Sequence, residues 1–249
     1  MTRVVIVGGA GRMGRSLVAC ARDAGVEVGA VIASPHSATL GQDAGEMAGV
    51  RRLGVPITAD LGAAIPGAQV VIDFSRPNVA RDHVDQCALA RIPLVLGTTG
   101  LDAGIETDFE RAATRIALLV AANTSLGVTL LADLVARAAR ALPDRFDVTI
   151  VEAHHRGKKD APSGTALALG RAVEGPAKRA VDYAVVRGGD IVGEHDVRFI
   201  GEGEELNLAH RATDRAIFAR GALRAAVWLA GRPPGRYSMR DVLGIKSVS

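Results

Sequence analysis

The stretch VVIVGGAGRMG at residues 4–14 decides the fold, because an apolar run passes directly into a glycine cluster. Gly9, Gly11 and Gly14 satisfy the pattern G-x-G-x-x-G, and the residues that follow have the composition of a helix. Glycine lets the backbone turn tightly, so that N–H groups can approach a pyrophosphate at the positive end of that helix. The pattern favours a strand, a phosphate-binding turn and a helix; the alternative is a glycine turn needed only for packing.

Outward from this stretch, the first half of the chain alternates short apolar runs with longer segments of helical pattern. The predicted strands span residues 4–7, 28–32, 70–74, 94–96 and 116–120. The segments between them, such as 13–24 and 79–90, are long enough for right-handed crossover helices between parallel neighbours. This alternation predicts an α/β fold with a Rossmann-like, doubly wound parallel sheet.

A different pattern begins after Ser125. Residues 126–142 predict a long helix, 148–153 a strand and 166–172 a shorter helix. Short strands with partial alternation of apolar and polar positions are then predicted at residues 183–187, 197–200 and 206–212. We therefore expect a second, α+β domain with a mixed or antiparallel sheet. A closing helix at residues 216–230 ends at Gly231, and its pattern assigns it to neither domain.

The composition excludes several classes of function. The 249 residues are 48% hydrophobic, yet no apolar run approaches the roughly 20 residues of a membrane-spanning helix. The start of the chain lacks the apolar segment and cleavage site of a signal peptide, so we expect a cytoplasmic protein with no membrane partner. A net charge of +3 and an aromatic content of 3% argue against a nucleic-acid partner. Cys20 and Cys87 have no neighbours at metal-ligand spacing and are predicted to be packing residues.

Two further loops follow predicted strands in the first half of the chain. Gly97, Thr98 and Thr99 come directly after residues 94–96, and AANTS at residues 121–125 comes after the next strand. Ligands of open α/β sheets bind beyond the carboxyl ends of the strands. Each loop alone has the composition of an ordinary turn. Together they predict the wall of one crevice.

The most specific stretch is EAHHRGKKDAPSGT at residues 152–165, which follows a predicted strand and precedes a predicted helix. Its cationic or protonatable groups are His154, His155, Arg156, Lys158 and Lys159. Ser163 fits a helix N-cap, which would leave the N–H groups of Gly164 and Thr165 for an anion. Histidine can donate a proton near neutral pH, and a lysine among other cations can have a lowered pKa. The loop therefore predicts a site for a small carboxylate, with acid catalysis.

Other interpretations of this loop concern individual residues. Arg156 and Lys159 can be interpreted as ordinary charged side chains exposed to solvent. His154 and His155 are adjacent, so on a strand they would point to opposite faces, and no cysteine or carboxylate stands at a zinc-like spacing. We therefore expect no metal site.

These motifs resemble those of the 4-hydroxy-tetrahydrodipicolinate reductase family, also called the dihydrodipicolinate reductases. The resemblance is carried by EAHHRGKKDAPSGTA at residues 152–166 and continues through GGAGRMGR at 8–15, VIDFSRP at 71–77, GTTG at 97–100, AANTS at 121–125, AHRATDRAIFARGALRAAVWLAG at 209–231 and MRDVLG at 239–244. It implies a homotetramer in which residues 1–125 and 215–249 bind the dinucleotide. Residues 126–214 would then bind the substrate and form the tetramer.

The resemblance also implies roles for individual residues. His154 would be the acid–base residue and Lys158 a second proton donor. The implied substrate contacts are His155, Ser163, Gly164 and Thr165. The implied cofactor contacts are Gly8, Gly9, Ala10, Gly11, Arg12, Met13, Gly97, Thr98, Thr99, Ala121, Ala122, Asn123 and Thr124. The implied reaction is the NAD(P)H-dependent reduction, with loss of water, of a cyclic imine dicarboxylate to tetrahydrodipicolinate in diaminopimelate and lysine biosynthesis.

The sequence departs from the family pattern at positions that concern the cofactor. Thr124 stands where an aromatic or bulky apolar residue is usual, which predicts looser packing against the nicotinamide. Ala33 and Ser34 replace a usual acidic residue and a frequent arginine at the end of the second strand. The missing carboxylate no longer repels a 2′-phosphate, and Ser34 and His36 could donate hydrogen bonds to it. We therefore expect Ser34 to contact the cofactor and NADPH to be used at least as well as NADH.

Two other classes of function remain open at this stage. Another two-domain dehydrogenase would explain the glycine turn but would leave residues 152–165 without a role. A dinucleotide-sensing regulator would use the basic loop to contact an acidic partner or nucleic acid. That interpretation predicts salt-sensitive DNA binding and a function that survives His154→Ala.

Overall fold

The computed structural model describes residues 1–174 and 179–246. Strands and helices alternate over residues 1–174, and three consecutive strands then precede the helix that begins at Ala216. In chain order the elements are β1 (Thr2–Val7), α1 (Arg12–Ala21), β2 (Val26–Ile32), α2 (Ala44–Met47), β3 (Ile57–Thr58), α3 (Leu61–Ala64), β4 (Val70–Asp73), α4 (Pro77–Ala90), β5 (Leu94–Leu96), α5 (Glu106–Ala113), β6 (Ala117–Val120), α6 (Leu126–Ala141), β7 (Asp147–His154), α7 (Gly164–Glu174), β8 (Asp182–Arg187), β9 (Gly193–Gly201), β10 (Glu204–Ala212), α8 (Ala216–Leu229), β11 (Gly235–Tyr237) and α9 (Met239–Val242). None of the described helices combines the length and the apolar character needed to cross a membrane.

The contacts divide the chain into two units. The first unit combines Met1–Ser125 with Ala216–Ser249, and the second unit is Leu126–Arg215. The boundaries expected from the sequence, 125/126 and 214/215, lie within one residue of this division. Residues 175–178 and 247–249, which belong to the predicted domains, lie outside the described residues.

The first unit contains a seven-stranded sheet in the order β11-β6-β5-β4-β1-β2-β3. Every pairing in it is parallel. Its central strands are continuous apolar runs such as Val4–Val7, buried on both faces as parallel strands between helices must be. The predicted doubly wound sheet is confirmed. The strand order reverses between β1 and β4, and ligands of such sheets bind beyond the carboxyl ends at this point.

The closing helix α8 belongs to the first unit, where it packs against α1 and against β4, β5 and β6. It leads into β11, which pairs in parallel with β6 and extends the sheet at its edge. No strand was predicted after the closing helix, so β11 was missed. Three residues at a sheet edge carry too little periodicity to be recognised.

The second unit contains a four-stranded sheet in the order β10-β9-β7-β8. β7 pairs in parallel with β8, and the other pairs are antiparallel, so the predicted mixed sheet is confirmed. α6 and α7 contribute to one core with alternate residues of β7 and β9, among them Val148, Ile150, Val197 and Phe199. Because side chains alternate along a strand, Glu152 and His154 lie on the same helix-covered face as Val148 and Ile150.

Candidate active site

The turn between β1 and α1 packs so closely that Gly8 and Gly14 leave no room for a side chain. Gly8 has a φ of +78°, and a Cβ on it would lie 2.7 Å from the carbonyl oxygen of Phe74. A Cβ on Gly14 would overlap the backbone of Gly8 and Gly9. The glycines therefore serve packing, and the same absence of side chains leaves the backbone bare where a pyrophosphate would approach.

A cleft of about 1180 Å³ lies beside this turn, at the carboxyl ends of the strands. The predicted cofactor residues that line it are Gly8, Ala10, Gly11 and Ser34. Gly9 is buried, and its N–H group donates a 2.9 Å hydrogen bond to the carbonyl oxygen of Ile32. Arg12 is exposed and Met13 half-buried in the first turn of α1. The bare cradle and the adjoining cleft fit a dinucleotide.

The two predicted loops beyond β5 and β6 lie on the same edge of the sheet. The N–H of Gly97 donates to the carbonyl of Asp73 at 2.8 Å, and the N–H of Ala121 donates to that of Leu96 at 2.9 Å. Each loop is thus fastened to the end of a neighbouring strand. Thr98 is buried, whereas Thr99 and Ala122 are exposed.

Thr124 packs towards α8. Its side chain is buried, and its hydroxyl donates a 2.7 Å hydrogen bond to the carbonyl of Phe218. A Cβ on Gly221 would overlap the carbonyl of Thr124. Asn123 accepts a hydrogen bond from the N–H of Ser125 at 2.9 Å. The hydroxyl that replaces a bulky apolar group therefore holds α8 in the first unit.

The end of β2 presents Ser34 and His36 to the cleft, and both are exposed. Arg76, the N-cap of α4, lines the same cleft and adds a cation that the sequence analysis missed. Asp60 and Asp82 also line it. The wall around a 2′-hydroxyl or 2′-phosphate therefore carries both signs of charge.

The second unit places His154 at the end of β7, where it is buried beside a carboxylate. Its Nδ1 lies 2.5 Å from Oε2 of Glu152, which is fully buried. Glu152 also accepts hydrogen bonds from Arg187 at 2.6 and 2.9 Å and from the N–H of Ser163 at 3.1 Å. Burial raises the pKa of Glu152, but these hydrogen bonds outweigh it and hold the pKa below its usual value. Glu152 is therefore an anion.

Two histidines and a serine meet at the other side of this cluster. The hydroxyl of Ser163 accepts a hydrogen bond from the N–H of Ala166 at 3.2 Å, which confirms the predicted N-cap of α7. The same oxygen lies 3.2 Å from Nε2 of His195. The rings of His154 and His195 are 5.2 Å apart, edge to face. Burial lowers the pKa of His195 to about 4, so it is neutral at ordinary pH.

Lys158 is paired with an acid, which the sequence analysis did not predict. Its Nζ lies 2.8 Å from Oδ1 of Asp160, and four-fifths of the lysine side chain is covered. The pKa of Asp160 is lowered, chiefly by the hydrogen bond from Lys158 and to a smaller extent by the backbone N–H of Gly164. The start of α7 thus has a carboxylate beside it even before a substrate binds.

The remaining predicted residues of this loop differ in how far they are exposed to solvent. His155 lies just beyond β7 and is half-buried, and Thr165 is half-buried in the first turn of α7. Gly164 is exposed at the helix start, and Arg156 and Lys159 are exposed, as expected for solvated charges. Among residues 1–174 and 179–246, no group of three or more potential metal ligands is found.

No role was predicted from the sequence for Glu152, Arg187, His195 or Asp160. Glu152 carries a recognisable signal, because residues two apart on a strand share a face and it precedes His154 by two. Arg187 and His195 come from β8 and β9 and have no local pattern that links them to the loop. Only the pairing of these strands with β7 brings them together.

Comparison with known proteins gives consistent results over the whole chain. A family model described as "Dihydrodipicolinate reductase, N-terminus" matches residues 2–124, and one described as "Dihydrodipicolinate reductase, C-terminus" matches residues 127–243. A 4-hydroxy-tetrahydrodipicolinate reductase of Thiobacillus denitrificans is 47% identical, with 98% of this chain and 99% of the relative covered. One from Acinetobacter baumannii strain AYE is 41% identical over 99% of this chain and 97% of the relative.

Solved structures show the same fold. A dipicolinate-bound dihydrodipicolinate reductase from Paenisporosarcina sp. TG-14 superposes with a TM-score of 0.79 at 22% identity, covering 96% of this chain and 97% of the other. An amine dehydrogenase from Mycobacterium smegmatis gives a TM-score of 0.64 at 15% identity, with 96% and 95% covered. At these identities the likeness concerns the fold alone.

Proposed function

The chain belongs to the dihydrodipicolinate reductase family, and we propose from this premise that it is a 4-hydroxy-tetrahydrodipicolinate reductase. The observation that carries the proposal is the cluster of His154, Glu152 and Lys158 at the start of α7, in a chain that also has the glycine turn of a dinucleotide site. Neither another dehydrogenase nor a sensing regulator accounts for both features.

The second unit supplies groups that suit a ring with two carboxylates. Lys158 and the half-buried His155 offer charge or hydrogen bonds, and Gly164 and Thr165 open a helix whose N-terminus favours anions. Asp160 already forms the kind of contact with Lys158 that a substrate carboxylate would form. We propose that the substrate carboxylate competes with Asp160 for Lys158.

The chemistry requires one hydride and one proton. When bound, a reduced nicotinamide would supply the hydride, which adds to C4 of the dehydrated ring. The C4=C5 electrons then shift to C5=C6 and the C=N electrons move onto the ring nitrogen, so that C5 must take a proton. His154 donates this proton or Lys158 does, and Lys158 stabilises the anion in either case, which combines general acid catalysis with electrostatic stabilisation.

The cofactor would lie in the cleft beside the glycine turn. Support comes from Gly8, Ala10 and Gly11, which line the cleft with at most a methyl group, and from Ser34 just beyond β2. We propose that NADPH is used at least as well as NADH, because Ala33 puts no carboxylate at this position and Arg76 adds a cation to the cleft.

We propose that the protein is a homotetramer assembled through the open face of the sheet in the second unit. The helices α6 and α7 pack on one face, while the other face presents apolar residues such as Val186 and Ile200. It also carries ion pairs of Arg198 with Asp196 and of Arg211 with Glu194. Light scattering should give the mass of four chains, and Ile200→Asp should reduce it. We further propose, from the family's biosynthetic role, that the enzyme acts in the cytoplasm.

A coupled assay tests the proposed function directly. The protein is supplied with freshly made product of the preceding synthase and with NADPH or NADH, and oxidation of the nicotinamide is followed. Turnover is the expected result. Complete inactivity with both nicotinamides would contradict the proposal, whereas salt-sensitive binding to DNA in its place would favour the regulator.

A further inference from the structure

One buried carboxylate in the second unit, that of Glu152, accepts hydrogen bonds from three residues. Oε2 of Glu152 accepts from Nδ1 of His154 at 2.5 Å and from Nη1 of Arg187 at 2.9 Å. Oε1 accepts from Nη2 of Arg187 at 2.6 Å and from the N–H of Ser163 at 3.1 Å. Glu152 has no exposed surface, so it offers no atom to a substrate that enters from solvent. Its contacts are with groups that surround the proposed catalytic residues.

We propose that Glu152 is a positioning residue that holds His154 in the tautomer with its proton on Nδ1 and thereby makes Nε2 the atom that transfers protons. This inference rests on the proposed function only for the direction in which the proton moves. An ionised carboxylate is an acceptor alone, so the Nδ1 that faces it must carry hydrogen. The partner of one ring nitrogen thus decides the state of the other.

The surroundings of Nε2 support this assignment. A Cβ on Gly193 would lie 3.0 Å from Nε2 of His154, so a side chain at Gly193 would crowd that nitrogen. The neighbouring His195 ring lies edge to face with that of His154, with the ring centroids 5.2 Å apart, and its Nε2 lies 3.2 Å from the hydroxyl of Ser163. Nδ1 is therefore held by Glu152, and Nε2 is the ring nitrogen that can transfer a proton.

The same carboxylate also fixes the loop that carries Lys158. Ser163, which caps α7, donates its N–H to Glu152, and Nη2 of Arg187 donates to the carbonyl of Asp160 at 2.7 Å as well as to Glu152. Both ends of residues 160–163 are thus joined to one ion pair. Through these contacts Glu152 and Arg187 position the partner of Lys158 and the start of α7 relative to His154.

Charged and titratable groups face His154 from every strand around it. Glu152 on β7 favours the imidazolium, whereas Arg187 on β8 and Lys158 in the loop disfavour it. His195 on β9 is neutral, and it is paired across the strands with His210 on β10. Burial is the largest influence and lowers the pKa of His154, while Glu152 opposes that effect. Removing Glu152 should lower this pKa further, and removing Arg187 should raise it.

Glu152→Gln tests the tautomer without any substrate. A glutamine offers one acceptor oxygen, which Arg187 and the fixed N–H of Ser163 both require, so its NH₂ would face His154. The imidazole can adapt by moving its proton to Nε2. We expect ¹⁵N correlation spectra of the histidine rings to show Nδ1–H for His154 in the parent and Nε2–H in Glu152→Gln. An unchanged Nδ1–H signal in that variant would overturn the inference.

A pair of variants with opposite expected effects separates positioning from general damage. In histidine titrations, Glu152→Gln should lower the pKa of His154 by about one unit or more, and Arg187→Gln should raise it. The matched control is Asp133→Asn, which removes another buried carboxylate paired with an arginine, Arg137, in the same unit. It should leave the pKa of His154 unchanged. Shifts of the same sign in both test variants would contradict the proposal.

The pH profile of turnover gives a second, independent readout. If His154 acts as an acid, its protonated fraction above its pKa falls about tenfold per pH unit, so Glu152→Gln should move the alkaline limb to lower pH. Its loss of turnover should shrink as the pH falls, whereas a purely structural defect would reduce turnover equally at every pH. Glu152→Asp keeps the charge and should restore the parent limb, which also covers the case that the glutamine variant folds poorly.

The two proposals can fail separately. A parent protein that shows the Nδ1–H tautomer and the opposite pKa shifts, but does not reduce the cyclic substrate, would contradict only the proposed function. A parent that turns over normally, together with a Glu152→Gln variant whose tautomer, pKa and pH limb are unchanged, would contradict only the positioning role.

Discussion

The glycine turn of the first unit and the end of β7 in the second prepare their sites by different means. In the turn, a Cβ on Gly8 or Gly14 would meet the backbone, so the site depends on the absence of side chains. At the end of β7, the buried Glu152 is paired with Arg187 and His154, so the site depends on charged side chains that are present and paired. The turn should be sensitive to added atoms, and the cluster to the removal of charge.

The largest expected effect comes from substitutions at the end of β7 and in its loop that leave the glycine turn unchanged. His154→Ala and Lys158→Ala should each lower turnover by roughly 10² or more, the range expected when a positioned acid is lost. Binding of the reduced cofactor should be unchanged, because neither residue lies in the glycine turn or its cleft. Steady-state kinetics and a fluorescence titration with NADPH measure the two properties.

His210→Ala is the matched control, since it removes a half-buried histidine from the neighbouring β10 of the same sheet. Its turnover should stay close to that of the parent. If His154→Ala abolished cofactor binding as well, the assignment of the 152–165 loop to the substrate would be wrong.

A second prediction concerns recognition at the start of α7. Pyridine-2,6-dicarboxylate should compete with the substrate, because its carboxylates suit the helix start and the nearby cations. Thr165→Val should weaken the inhibitor by ~1.5–3 kcal/mol, the value of a hydrogen bond to a charged group. Inhibition constants for parent and variant measure the change. Thr114→Val removes an exposed hydroxyl in the first unit and should not alter them, while an equal effect of both would remove Thr165 from the site.

The two regions also differ in how much of them the sequence could predict. The glycine turn is local: its strand, its turn and its helix follow one another within residues 2–21, so one motif in one context predicted it. His154, Lys158 and the cap Ser163 were likewise found because they lie within one stretch of chain. A local pattern is enough where neighbours in sequence are neighbours in space.

The rest of the cluster depends on strand pairing. Arg187 and His195 reach His154 only because β8 and β9 flank β7, and the pairing register of these strands cannot be worked out from single residues. Asp160 was visible in the sequence, but its pairing with Lys158 depends on how the loop bends back. For the same reason β11 was missed, since it becomes a strand only beside β6.

The third prediction adds an atom to the first region. Gly14→Ala should lower the free energy of unfolding by ~1–3 kcal/mol, because its Cβ would overlap the backbone of Gly8 and Gly9 and force the turn apart. Affinity for the cofactor should fall as well. Gly67→Ala is the control, since its Cβ would meet other atoms only at 3.9 Å or more. Denaturant unfolding and NADPH titration measure both effects, and a fully stable Gly14→Ala protein with normal affinity would contradict the role of the bare turn.

The smallest expected effect concerns the choice of cofactor, where the first region works through side chains rather than through bare backbone. The cleft has Ser34, His36 and Arg76 to meet a 2′-phosphate, but Asp60 and Asp82 also line it. Attractive and repulsive groups are therefore both present, and specificity is a difference between two similar affinities. We expect kcat/KM for NADPH to equal or exceed that for NADH. A value for NADH more than roughly tenfold higher, a difference of ~1.4 kcal/mol, would contradict this.

Placing a carboxylate at the end of β2 sharpens the same prediction. Ala33→Glu should provide an acceptor for the ribose hydroxyls of NADH and repel the 2′-phosphate of NADPH, so the ratio of the two kcat/KM values should move towards NADH. Ala38→Glu is the matched control, because it adds the same charge to an exposed position of the following loop that does not line the cleft. Long-range charge alone would shift both variants alike and would weaken on adding salt. A shift confined to Ala33→Glu would mean that the adenosine ribose lies at the end of β2, and equal shifts in the two variants would place it elsewhere.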